Sequence, residues 1–585
     1  MTNKNVVAAA AVLALLMAGQ AHAAPPPPAA ASVPERNLPP ALERQGPANV
    51  VPPNALPQAL DTKPLGPNLT ALVVLGSKDE ITKTTAKGVD TSRVPTLNDT
   101  NAQAQLQPYL GQPLTRRLIG EVEATIARIY REKGLPFVAV MTPPQEISQG
   151  QVQFRVVEFK VGKIKATGNT RGPSDFYTGR VRVTPGEPVR SNDLAEDLDW
   201  LNRSSFHQAE AVFSPGVNSG ETDLNLRVSE SKPWRVYAGY ANSGAPSTSR
   251  DRYFAGAVIG DIIVPDSYFS YQVTGSRDFW YDQGEIFNDA RHPQYVSNAA
   301  RLALPVGPRQ QIEFTFSAVE SNRSISVFDL RQRTLEGSVA YRTAASNYFK
   351  TLTGDLYGGV EYAHQNSDTY FGPFTAFAAA ADVYQVFGGW SGVFDSVAGH
   401  TELDAALHVS PGSVTNNNES SDFVNYSAGR VKNARYSYID TNVTHSLPLA
   451  YGLTFVTTIE GRLASGPLPE SQQLGVTAMR GYTSDDGSFD YGITSRNELH
   501  LPSTNLLGRF SGLQDQLSPY AFVDIGYVRD KAFKSSETPI SAGVGANYNL
   551  NGTLSTTLDT SYALRDVGLT ERGDWQLTAR VSVAY

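Results

Sequence analysis

The chain ends on a segment in which every second side chain is apolar. Trp575, Leu577, Ala579, Val581, Val583 and Tyr585 form one row, and Gln576, Thr578, Arg580, Ser582 and Ala584 form the other. That period of two belongs to an extended strand with unlike faces. From about Pro233 onward, helical periodicity is absent and such segments of about ten residues recur between Gly/Asn/Asp/Ser turns. Sixteen can be read: 234–242, 250–262, 267–279, 295–306, 310–321, 333–344, 352–364, 378–388, 400–410, 430–446, 453–463, 491–501, 519–529, 540–548, 554–564 and 575–585. The stretch Pro373–Thr401 leaves the count open by about two strands, even numbers being usual for transmembrane barrels.

A soluble sandwich strand would alternate in the same way. The aromatic final residue, Tyr585, argues for the barrel, and the other end of the chain sets the compartment. Its one strongly apolar run, Val6–Met17, follows Lys4 and precedes Ala21-His22-Ala23. The run is too short to span a bilayer and matches a signal peptide over residues 1–23, cut after Ala23. If the exported remainder sits in a membrane, a closed barrel is the form open to it, because no span-length helix satisfies its backbone. Residues 233–585 are therefore expected to be a transmembrane antiparallel barrel with lipid on the apolar face and a lumen on the polar one. Sixteen strands enclose more room than their side chains fill, which leaves a channel or calls for a plug. An aromatic last residue inside an amphipathic strand resembles the mark by which outer-membrane assembly machinery recognises barrels, so Trp575 and Tyr585 are the expected assembly signal.

Residues 24–68 hold 13 prolines. Proline fixes φ and removes an amide donor, so the segment reads as an extended linker rather than a packed unit. Residues 69–158 then show an α+β pattern. A strand is expected in Leu69–Leu75, and a short helix in Asn101–Leu110. A helix capped by Thr115 carries Leu118, Val122, Ile126 and Ile129, and strands follow at Phe137–Met141 and Gln151–Val157. Residues 159–232 repeat the plan with a strand at Lys163–Ala166, a helix capped by Ser191 with Leu194, Leu198 and Leu201, and strands at Ala209–Phe213 and Thr222–Val228. The shared order of elements reads as a tandem repeat, the alternative being one mixed α+β domain.

Composition narrows the chemistry. With 49 basic and 57 acidic side chains there is no clustered basic footprint for nucleic acid. The absence of cysteine removes disulfides and thiolate sites. There is no GxSxG, and the eight histidines (22, 207, 292, 364, 400, 408, 445, 500) show no HxxxH spacing. No catalytic residues, metal ligands or cofactor are expected.

Two short motifs remain. Met479-Arg480-Gly481-Tyr482 lies in the long polar stretch between the segments ending at Leu463 and starting at Tyr491. Phe522-Val523-Asp524-Ile525-Gly526 lies within a segment whose alternation puts Ala521, Val523, Ile525 and Tyr527 toward lipid and Asp524 inward, with Gly526 leaving room beside it. An inward carboxylate is either solvated or paired, and a guanidinium fork fits it best.

Taken together, these motifs resemble two-partner secretion transporters of the ShlB/FhaC/HecB haemolysin secretion type. In that family a [VI]RG[YF] loop folds into a sixteen-stranded barrel and its arginine meets the aspartate of an [FG]xDxG strand motif. Tyr130–Gly134, Pro143-Pro144-Gln145, Val156-Val157-Glu158, and Asn242-Ser243-Gly244 with Ser247-Thr248 also match, so the likeness runs from Leu69 to Tyr585. Departures are Met479 at a β-branched position, an insertion around Thr84–Val94 and no convincing plug helix in 24–68. The resemblance implies two tandem POTRA domains, at 69–158 and 159–232, ahead of the barrel. It also implies that Arg480, Gly481, Tyr482, Phe522, Asp524 and Gly526 hold a gating loop. The implied setting is the Gram-negative outer membrane with the POTRA domains in the periplasm. The implied partners are an unfolded TpsA-like exoprotein, outer-membrane lipid and, during biogenesis, the barrel-assembly machinery, with the chain a monomer. The competing expectation is an insertase of outer-membrane proteins, which usually carries more POTRA domains.

Overall fold

A computed structural model describes residues 61–84, 86–281, 292–508 and 513–585. The expected signal peptide and residues 24–60 of the linker lie outside the described residues.

The first α+β unit is built on a four-stranded sheet in the order Gly88–Asp90, Ala71–Leu75, Gln151–Glu158, Val138–Met141. Its helix Arg116–Glu132 begins where the Thr115 hydroxyl accepts from the Leu118 amide at 3.0 Å, satisfying one of the free donors of a first turn. Leu118, Val122, Ile126, Ile129 and Tyr130 share one face of that helix and pack on Leu72, Val74, Val152, Phe154 and Val156 of the sheet. The insertion around Thr84–Val94 contributes the three-residue parallel edge strand.

The second unit has a three-stranded sheet, Lys160–Thr167, Glu221–Glu230, His207–Pro215, with helices Ser174–Thr178 and Ser191–Leu201. Here the structure corrects an expectation: Ser191 is the first helical residue rather than the cap, and Arg190 precedes it with no side-chain cap. The Ser191 hydroxyl donates instead to the Gly134 carbonyl of the first unit at 3.3 Å. The two units also meet where the Phe137 ring packs at a tilt against that of Phe213, with centroids 4.1 Å apart.

Sixteen antiparallel strands then close into a barrel. They are β1 (Trp234–Ala241), β2 (Arg252–Gly260), β3 (Tyr268–Gly275), β4 (Tyr295–Gly307), β5 (Gln310–Ile325), β6 (Phe328–Ala344), β7 (Asp355–Phe371) and β8 (Phe374–Ser396). The return half is β9 (Gly399–Ser410), β10 (Tyr436–Pro448), β11 (Thr454–Ala464), β12 (Tyr491–His500), β13 (Asp515–Arg529), β14 (Ile540–Leu550), β15 (Leu554–Ala563) and β16 (Trp575–Ala584). A two-residue piece, Ser536–Glu537, extends the pairing against β13. No described helix is long and apolar enough to cross a membrane.

The middle region holds one strand of 23 residues, β8, joined to β9 by Val397-Ala398, so no additional pair fits there. β8 is longer than the 378–388 segment read from alternation, and β10 starts at Tyr436, not at residue 430. Closure is made between β1 and β16 over the register Tyr237↔Ala584 to Ala241↔Arg580. This seam is flanked by strands of eight to ten residues, whereas β5 to β8 run 16 to 23. The barrel is thus low at its seam and tall on the far wall. Its rim nearest the α+β units is called proximal below, and the opposite rim distal.

Candidate functional site

The segment between β11 and β12 does not stay at the distal rim. It turns back into the lumen, bends on itself through the short ladder Leu474-Gly475 with Ser488-Phe489, and reaches the wall formed by β12 to β15.

At its tip, Arg480 meets Asp524 of β13. The guanidinium Nη2 and Nε lie 2.7 and 2.9 Å from the two carboxylate oxygens, and the Arg480 amide donates to the same carboxylate at 3.1 Å. Asp524 is fully buried, so this bidentate contact plus an amide serves a charge that water does not reach. The third nitrogen, Nη1, donates to Glu498 of β12 at 2.7 Å. The Phe522 ring, two residues from Asp524 on the same lumen face, sits under the guanidinium at 3.6 Å, a cation–π geometry. Strand alternation brings these together, since Phe522, Asp524 and Gly526 are buried while Ala521, Val523 and Tyr527 are exposed.

Gly481 turns the chain with φ +89, in the left-handed region that glycine tolerates. Tyr482 is thereby carried to the β14 end, where its hydroxyl lies 2.9 Å from the Ile540 carbonyl and 3.0 Å from that of Arg565. It also accepts from the Ile540 amide at 3.1 Å. The room at Gly526 is occupied by Met479: a Cβ on Gly526 would fall 2.8 Å from the Met479 sulfur. The glycine thus admits the residue before the arginine rather than the guanidinium.

The same loop is held elsewhere by residues the sequence did not single out. The Gln472 side chain lies 2.8 Å from the Tyr438 hydroxyl of β10 and 3.2 Å from the Gln385 amide of β8. Asp485 accepts from the Ser247 amide and hydroxyl in the β1–β2 hairpin at 2.9 and 2.6 Å. Asp486 accepts from the amides of Leu569 and Thr570, between β15 and β16, at 3.0 and 2.8 Å. Buried Asp490 takes Arg430 Nη2 at 2.5 Å and the Leu468 and Lys531 amides at 2.7 Å each. The loop therefore spans the lumen between opposite walls. The one signal in the sequence was the acidic run Asp485-Asp486 and Asp490 in a stretch too long for a turn.

Trp575 and Tyr585 stand at opposite ends of β16. Tyr585 exchanges main-chain hydrogen bonds with Val236 across the seam at 2.9 and 3.0 Å, and its ring lies 5.7 Å from that of Trp234 and 4.3 Å from Lys232 Nζ. Trp575 faces outward near the distal rim. Among the described residues no cluster of three or more His, Asp or Glu could hold a metal.

The proximal rim carries a second ionic knot. Buried Asp197 of the second unit accepts from Arg182 at 2.9 Å and from Arg309, between β4 and β5, at 2.6 Å. Arg203 forks onto Asp355 at the start of β7 at 2.7 and 3.1 Å, and Arg171 reaches Asp261 after β2 at 2.9 Å.

The family described as haemolysin secretion/activation protein ShlB/FhaC/HecB matches residues 220–550, and the POTRA domain of ShlB type matches residues 84–158. The chain belongs to this family. Among curated relatives, the heme/hemopexin transporter protein HuxB of Haemophilus influenzae is 23% identical over 159 residues, 27% of this chain and 28% of that protein. The hemolysin transporter protein ShlB of Serratia marcescens is 27% identical over 132 residues, 23% of each chain. The matched stretches span only about a quarter of these relatives' length. The fold is similar to that of CdiB from Escherichia coli, with a TM-score of 0.68 at 17% identity over 93% of this chain and 95% of that one. As a member of the ShlB/FhaC/HecB family, the chain is an outer-membrane β-barrel protein with a POTRA region at its N-terminal side.

Proposed function

We propose that this chain is an outer-membrane translocator that takes an unfolded secreted polypeptide from the periplasm and passes it through the barrel. In this reading, residues 1–23 are the signal peptide, 24–68 a linker, 69–158 and 159–232 two POTRA domains, and 233–585 the conduit. The sheets of the two units end in edge strands, Val138–Met141 and Lys160–Thr167 among them. Such edges add an extended chain by main-chain hydrogen bonds with little regard for its sequence. No nucleotide or cofactor is needed, because folding of the cargo outside draws transport forward. Trp575 and Tyr585 act earlier, as the assembly signal read during biogenesis, and the working unit is a monomer.

The observation that carries the reading is the loop across the lumen, held by Arg480 on Asp524. A loop whose tip is pinned by one arginine on a buried carboxylate closes the conduit at rest and can be released. The test compares Asp524→Ala and Arg480→Ala with the parent for barrel assembly, single-channel conductance and exoprotein secretion. Wild-type conductance and secretion in both assembled variants would remove the gating role. Loss of many unrelated barrels from the outer membrane on deletion would favour the insertase instead.

A further inference from the structure

β8 is far longer than a membrane crossing requires. About 9–11 tilted residues span the bilayer, whereas β8 has 23. Its C-terminal half pairs with β9 from Val386↔Val409 down to the proximal turn at Val397-Ala398. The excess therefore stands at the distal rim, where Phe374–Gln385 pair with β7 on one side and with no described strand on the other, the helix Ser420–Tyr426 packing against β8 near Val383.

Which main-chain groups point to that open side follows from one residue. The Asp382 amide donates to the Asn417 carbonyl at 2.8 Å, and Asn418 Nδ2 donates to the Asp382 carbonyl at 2.6 Å. Both polar groups of Asp382 thus face away from β7. By the two-residue period of a strand, those of Ala380 and Ala378 do too. Neither alanine has a second main-chain partner among the described residues. The loop 411–418 has already bonded one rung of this edge, so the edge accepts extended chain in its present geometry.

The side chains suit the same use. Between Asp368 and Asp382 there is no charged residue, and Ala378 to Ala381 are four consecutive alanines. Edge strands left bare are normally blunted by lysine, proline or a bulge. Here the bulge lies near the tip, between Thr369 and Tyr370 opposite Phe377 and Thr375, and leaves the alanine rungs straight. Phe374 and Phe377 are exposed beside them, as are Phe371 and Phe328 on the adjoining hairpin tips.

We propose that the distal edge of β8, centred on Ala378 and Ala380, is a strand-addition site for the secreted polypeptide as it leaves the pore. The occupant is an extended, uncharged segment of small and β-branched residues. It pairs through the free amides and carbonyls and starts the folding that draws the rest of the cargo outward. The source of that strand rests on the translocator reading; the edge itself does not.

The test uses the purified full chain in detergent micelles and a fluorescent ten-residue peptide of alternating valine and threonine with a lysine at each end, followed by anisotropy. Ala378→Pro with Ala380→Pro removes only donors on the open side, where proline is tolerated. The double variant should bind the peptide about tenfold more weakly, as expected for two ordinary main-chain hydrogen bonds. Ala378→Ser with Ala380→Ser keeps the amides and should bind within about twofold. Ala380→Lys, which blunts the edge without touching a donor, serves if the prolines prevent assembly, and parental conductance certifies each barrel. Peptide binding unchanged by the prolines, or absent in the parent, overturns the site. So does a parental dimer that the prolines convert to monomer, which would give the edge to a second copy. Transport plays no part in this readout, so a failure here and a failure of the Arg480 and Asp524 tests are distinguishable.

Discussion

The lumen and the proximal rim each hold an arginine–carboxylate knot, yet the two are built differently. At the tip of the lumen loop one cation, Arg480, serves both Asp524 and Glu498, and it arrives on the loop. At the rim, Arg182 and Arg309 converge on Asp197 while Arg203 and Arg171 make separate contacts with Asp355 and Asp261. One arrangement hangs the tip of the lumen loop on a single guanidinium, while hydrogen bonds of Asp485, Asp486 and Asp490 hold the rest of it. The other distributes the attachment of a folded unit over several. Burying a charge is tolerable only while its partner stays in place, so the loss of one partner has very different consequences in the two settings.

The largest expected effect is therefore in the lumen. Asp524→Ala or Arg480→Ala alone should weaken loop attachment by about 3–5 kcal/mol, the usual loss when one member of a buried pair is removed. Protease access to the loop and channel conductance would report it. The double variant should be less impaired than the sum of the singles, since neither charge is left alone.

At the rim, Asp197→Ala should loosen the second unit by about 1–3 kcal/mol, read as faster hydrogen exchange in Ser191–Leu201, with the Arg203 and Arg171 contacts still holding. A loss as large as that of Asp524→Ala would erase the contrast.

Gly526→Ala is a milder probe of the lumen. It presses on Met479 and should cost about 1 kcal/mol by overpacking, with conductance shifted less than by Asp524→Ala.

The smallest effect is pH-dependent and belongs to the rim. Asp266, in the turn between β2 and β3, is pushed up to about 6 by burial, against the opposing pull of His207 at 3.8 Å and Arg180, and with Asp261 adding to the rise. A carboxyl raised in the folded state binds more protons there than in the unfolded chain. Stability therefore falls as pH rises from the ordinary carboxylate range to about 6, and is level above it. Exchange protection of the second unit should be greater at pH 5 than at pH 7.5, and Asp266→Asn should flatten the difference.

Most of the architecture was legible because period-two alternation is a property of consecutive residues. Each of the sixteen segments read from the sequence corresponds to one barrel strand, and Ala521 to Val528 alternate as the hydropathy pattern implies. The alternation blurred at β8, where Ala378 to Ala381 carry no contrast between faces and concealed both the strand's length and its open edge. Ser191 was misread because serine before an apolar run is the usual cap, whereas here its hydroxyl is engaged by the neighbouring unit.

The chain by itself determined the barrel's alternating segments, the two α+β units before it, and the inward direction of Asp524, because all three follow from spacing along the backbone. Only the tertiary structure decided that Met479 fills the space at Gly526, that Arg430 meets Asp490, that one loop bridges both walls, that β8 is a single strand closing the count at sixteen, and that one edge of it has no strand partner above the rim. Those are encounters between residues far apart in sequence, and they depend on how a closed sheet brings its walls and loops together in space.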